Sequence, residues 1–168
     1  MSTDQLPGLL TVVGLVALAW AGMAWGWRRR SRRQSDLPAP ASAPTGLGEP
    51  RLTTQGLYVG TVLAGDWLER VVPHGLGARS AAVVTVHPEG LLLERDGCAP
   101  AWVPRSDLLG VRRDTGLAGK VTETGGLVVW TWRLGAARLE SGLRPRYAAQ
   151  AEPLVAALAA LVTQEVAE

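Results

Sequence analysis

Residues 9–27 (LLTVVGLVALAWAGMAWGW) run for nineteen positions without a charged side chain, and five arginines follow within six residues. Nothing else in the chain constrains its architecture so strongly. Nineteen helical residues rise roughly 28 Å, close to the hydrocarbon thickness of a bilayer. The run therefore predicts a transmembrane helix over residues 9–27. Trp25 and Trp27 fall at the headgroup level, where amphipathic rings are favoured. A cleaved secretory signal would carry its positive charge before the apolar run and a small-residue site after it. Here Asp4 precedes the run, while Arg28, Arg29, Arg30, Arg32 and Arg33 follow it. Arginines next to a helix end resist translocation, so the sequence predicts residues 1–8 outside and the rest at the cytoplasmic face of the plasma membrane. Gly22 and Gly26 form a G-x-x-x-G pair that suits weak self-association of two such helices.

The same arginines explain the charge. The chain of 168 residues has a formal net charge of +2 and a pI near 9.2. From Glu49 onward there are 12 Lys and Arg against 13 Asp and Glu, and 12 − 13 leaves −1. A nucleic-acid footprint requires a basic face on the folded part, and that balance argues against one. Cys98 is the single cysteine, so an intramolecular disulfide and a multi-thiolate metal site are both ruled out.

Residues 28–50 combine the basic block with a stretch containing four prolines (QSDLPAPASAPTGLGEP), which reads as a solvated, semi-rigid linker. From residue 51 the texture changes to short apolar runs broken by turn residues, the pattern of antiparallel strands. Strands are predicted at 57–63, 67–72, 81–87, 91–95, 101–103, 108–113, 127–134 and 137–143. The hairpin turning at 88–90 is the clearest of these. Along 127–134 (LVVWTWRL), Val128, Trp130 and Trp132 share one face, and Val129, Thr131 and Arg133 share the other. The first set is assigned to the core. At the end of the chain, Leu154, Leu158, Leu161 and Val162 recur at helical spacing after Pro153, predicting an amphipathic helix that lies on the sheet. The sum is an α+β architecture in residues 51–168: a bent antiparallel barrel or sheet of about seven strands closed by a C-terminal helix.

That order of elements resembles the pleckstrin-homology-like (PH-like) fold. Residues 58–80 (YVGTVLAGDWLERVVPHGLGARS), 84–97 (VTVHPEGLLLERDG) and 102–121 (WVPRSDLLGVRRDTGLAGKV) look like the membrane-anchored PH-like proteins of actinobacteria. The resemblance implies a PH-like fold and an interaction role, and it carries no catalytic signature.

A search for chemistry yields little. His74 and His87 are too scattered for metal-ligand spacing. Gly75 and Gly77 lack the lysine of a phosphate loop, and no nucleophile elbow is present. No cofactor is expected. The candidate ligand patch is Arg112, Arg113 and Lys120, which flank a turn at 114–119. The expectation is a non-catalytic, membrane-tethered module binding a protein or peptide partner. The alternatives are an accessory subunit of a membrane transport or export complex, an anionic-lipid sensor, and, ranked last, an enzyme.

Overall fold

The computed structural model describes residues 6–33, 37–121 and 125–162. The chain divides into two compact units, Met1–Asp36 and Leu37–Glu168.

The described part of the first unit is one helix, α1 (Leu6–Arg33). Its side chains are described over residues 12–25, where Val12, Leu15, Leu18, Trp20 and Met23 are exposed. Among the described residues, no helix is long and apolar enough to cross a membrane. Gly14, Gly22, Trp20 and Trp25 dilute the apolar character of the described stretch of α1. The single-pass reading therefore falls, and with it the plasma-membrane location and the orientation inferred from the arginines. Gly22 is open, with nothing within 4 Å of an added Cβ. Trp27, Gly26, Arg28, Arg29, Arg30, Arg32 and Arg33 lie outside the described side chains.

Among its described residues, the second unit is an antiparallel sheet with one α-helix. Its strands are β1 (Leu52–Leu63), β2 (Asp66–Arg70), β3 (Ser80–His87), β4 (Gly90–Arg95), β5 (Ala101–Pro104), β6 (Leu108–Asp114), β7 (Gly116–Leu117), β8 (Lys120–Val121), β9 (Leu127–Leu134) and β10 (Ala137–Pro145). Eight of them form one sheet in the order β5-β4-β3-β1-β10-β9-β6, with β2 added on β1. The other two, β7 and β8, form a small separate hairpin.

The sheet is open, which corrects the expectation of a closed barrel. Its two ends, β5 and β6, are neighbours in the chain yet do not pair. The free edge of β5 is met instead by residues ahead of β1. The Trp102 N–H donates to Ala41 O at 2.9 Å, and the two residues form an antiparallel bridge. Covering an edge with a short extended segment removes the unpaired backbone groups without closing the sheet. At the other end, helix α2 (Ala151–Ala159) packs on β6 and β9.

Strand β1 organises the sheet. One edge pairs with β10, while the other pairs with β3 along its first half and with β2 near its end. Two glycines make this feasible. A Cβ at Gly56 would sit 2.3 Å from Arg144 O. Gly60 has φ +137° beside a register shift between Tyr58 and Gly60, a bend that L side chains rarely adopt.

The main core lies between the sheet and α2. Trp130, Trp132, Val128, Leu139, Leu143, Leu154, Leu158 and Leu161 are all buried there, so the assigned face of β9 does point inward. The opposite face of β9 is not uniformly wet. Val129 and Leu127 are buried in a second, smaller cluster with Val59, Val62, Leu117 and Ala118, covered by the β7–β8 hairpin.

A chain of hydrogen bonds runs through the main core. Trp132 Nε1 donates to Ser141 Oγ (2.9 Å), and Ser141 and Thr61 hydroxyls lie 2.6 Å apart. Thr61 is joined to the Tyr58 hydroxyl, which donates to Leu76 O at 2.9 Å. One direction of donation, from Trp132 to Leu76, satisfies every member.

Candidate functional site

Two of the residues singled out as a basic patch, Arg112 and Arg113, lie on opposite faces of β6. Successive side chains of a strand point to opposite faces, and Arg112 and Arg113 obey this. Arg112 grips Glu140 on β10 through two N–H···O contacts of 2.8 and 3.0 Å and meets Asp114 Oδ2 at 3.1 Å. Hydrogen bonding to Glu140 is the main reason its guanidinium is held above its ordinary pKa. The Asp114 carboxyl moves the other way. Burial acts to raise it, but N–H groups of Thr115 and Gly116 and the Arg112 guanidinium together hold it below its ordinary value. Arg113 turns to the opposite face, donating from Nε to Gly125 O (2.9 Å) and lying 3.5 Å from Glu152 on α2. The Lys120 side chain lies outside the described residues. Arg112 is thus committed to joining β6 and β10.

The glycine-rich turn is equally structural. Gly75 O accepts from Arg95 at 2.7 Å and Gly77 O from Arg70 at 2.9 Å. Arg95 is itself buried under the Tyr58 ring, its Cζ 5.5 Å from the centroid. His74 Nε2 contacts Leu37 O at 3.0 Å and His87 Nδ1 contacts Gly48 O at 2.8 Å, so both histidines hold the segment that precedes β1. Among the described residues, no three His, Cys, Asp or Glu side chains are placed to hold a metal ion.

A concave feature of the domain lies on the outer face of the central strands, and of the three predicted residues Arg113 is the one that lines it. A groove of about 820 Å³ runs over β10, β1, β3 and β4 and reaches Gly125, Ala148 and Ala151 at one end. The strand register arranges its lining in two parallel cross-strand rows. Arg144 pairs with Leu57, Leu57 with Ala81, and Ala81 O accepts from Asp96 N–H at 3.1 Å. In the next row Arg146 N–H donates to Gln55 O at 2.9 Å, Gln55 pairs with Val83, and Val83 with Glu94. Each row therefore begins on an arginine and ends on a carboxylate. The floor between them is low, built from Gly56, Leu57, Ala81 and Val83. Arg144, Arg146, Glu94 and Asp96 are all exposed.

None of these four had been singled out in the sequence. The signal was present: Glu94 and Asp96 stand two apart, as do Arg144 and Arg146, and a spacing of two puts both members on one face of extended chain. Only the register brings the two pairs into line.

The sheet order and its C-terminal helix define a PH-like domain. A profile of the bacterial PH domain-like family matches residues 35–159, and the chain belongs to that family. No curated protein sequence matches the chain. Among solved structures, it is similar to a chain of the 8S snRNP assembly intermediate at 10% identity, covering 77% of this chain and 95% of that one, with a TM-score of 0.49. It is also similar to Vav1 inhibited by an allosteric inhibitor, at 14% identity over 84% of this chain and 34% of that one, with a TM-score of 0.44.

Proposed function

We propose that this protein is a non-catalytic interaction module that holds a segment of a protein partner on the outer face of its sheet. One observation carries the reading: the groove of about 820 Å³ over β10, β1, β3 and β4, with Gly56, Leu57, Ala81 and Val83 on its floor and charge along its rims. Gly56 and Ala81 in that floor let a partner backbone approach closely, and the volume falls in the range of specific ligand sites. The fold supports the same role, since PH-like domains serve generally as binding modules.

A photoreactive benzophenone side chain introduced at Val83 tests this directly. Irradiation in cells is expected to give a discrete protein adduct from Val83 and none from the exposed Arg138. The Val83 adduct should disappear when Arg146→Glu is added. Equal capture from both positions, or an adduct indifferent to Arg146→Glu, would sink the proposal.

A further inference from the structure

We infer that the partner segment is an extended peptide of polarised charge, with acidic side chains at one end and basic side chains about four residues away. This rests on the groove being the binding face, and it adds the chemistry of what lies there. Arg144 and Arg146 form one rim, and Asp96 and Glu94 the other, at the two ends of the same cross-strand rows. The rims are separated by three strand-to-strand steps, from β10 through β1 and β3 to β4. At about 4.8 Å per step that is roughly 14 Å. An extended peptide advances about 3.4 Å per residue, so a carboxylate over the arginines places the residue four positions on over the carboxylates.

The complementarity selects against single-sign ligands. A wholly acidic segment meets Asp96 and Glu94 with like charge, and a wholly basic one meets the arginines; mismatched juxtaposition is how such faces reject wrong partners. Between the rims, Leu57 and Val83 are half-buried and offer apolar contact to small side chains at the middle of the segment. The two rows lie two residues apart on each strand, so the face reads charge in duplicate. A doubled charge at each end of the peptide matches it better than a single one.

Two labelled peptides of identical composition separate pattern from net charge. One carries two glutamates, two alanines and two lysines in blocks, and the other interleaves the glutamates and lysines. Fluorescence anisotropy with the full chain is expected to show the block peptide binding about fivefold more tightly, as two exposed ion pairs would give. The preference should vanish in Glu94→Gln with Asp96→Asn and, independently, in Arg144→Gln with Arg146→Gln. Far-UV and near-UV circular dichroism would confirm that each variant folds. Equal affinity for the two peptides, a preference that survives both variants, or no binding of either overturns the inference. Sedimentation with phosphatidylserine vesicles that is abolished only by the arginine variant would assign the face to lipid and overturn it as well. In each of these cases a Val83 adduct sensitive to Arg146→Glu would leave the interaction role standing while removing the charge pattern.

Discussion

Two buried tryptophans, adjacent on one face of β9, differ in a single hydrogen bond. Trp132 donates its indole N–H to Ser141, while Trp130 Nε1 has no partner among the described residues. A buried donor left unmade costs the fold, and removing the group relieves that cost. Trp130→Phe and Trp132→Phe remove similar volume from the same core. Trp132→Phe is expected to destabilise by about 1–2 kcal/mol more, because it also strips Ser141 of its donor. Urea unfolding of both variants checks this, and equal midpoints would show the bond to be worthless. Asp114 carries a different kind of signal. Its folded carboxyl titrates below the unfolded value of about 3.9, so the stability it contributes is complete above that pH and is lost as pH falls through the folded value. Both Asp114 and Arg112 are partly exposed, which limits the effect to under about 1 kcal/mol. Asp114→Asn should unfold at lower urea than the parent at pH 6, with the gap closing at pH 2.5. A gap that stays constant across that range would place its origin elsewhere than in the carboxylate.

At the scale of elements, legibility followed locality. Strand β9 was read with its observed limits because apolar residues, two tryptophans and flanking glycines all speak within eight positions. The β3–β4 hairpin was equally plain, since its turn and both of its strands are contiguous. Strand β1 was read five residues too short, at residue 57 instead of Leu52. Its first turn of chain, Leu-Thr-Thr-Gln, has no apolar alternation of its own. Thr54 is buried there only because β3 pairs alongside. The β7–β8 hairpin was missed for the related reason that its strands are two residues each, and what stabilises it is burial of Leu117 and Ala118 against Leu127 and Val129. The candidate site shows the limit of adjacency in sequence. Arg112 and Arg113 are adjacent in sequence and were read as one patch, whereas the pleat sends them to opposite faces. The groove's two charged pairs, Glu94 with Asp96 and Arg144 with Arg146, are distant from each other in sequence, and only the register, which no local pattern encodes, brings them into line. The membrane reading weighed the length and lack of charge of residues 9–27 above their glycine and tryptophan content.

For the molecule as a whole, the decisive difference between sequence and structure is where the second unit begins. Composition placed the boundary at residue 51, after the prolines, but the compact unit starts at Leu37. The segment between them is fixed at three points: Leu37 O by His74, Ala41 O by Trp102 N–H and Gly48 O by His87. Leu37 also packs against the main core. Residues 37–168 expressed alone should therefore unfold cooperatively, with tryptophan fluorescence and far-UV circular dichroism changing together, because β1 and β9 contribute to both apolar clusters. Residues 51–168 should be weaker by about 2–4 kcal/mol, from three lost hydrogen bonds and the uncovered apolar surface. Their β5 edge would be open to pairing with other chains, and self-association at tens of micromolar is the expected consequence. Trp102 reports the change locally. It is 5% exposed, lies 6.2 Å from the His87 ring and carries the N–H that Ala41 engages. Its emission should shift to the red in residues 51–168 but not in residues 37–168. If the shorter chain keeps the midpoint of the longer one and stays monomeric, the segment is a passenger on the sheet edge and not part of the fold.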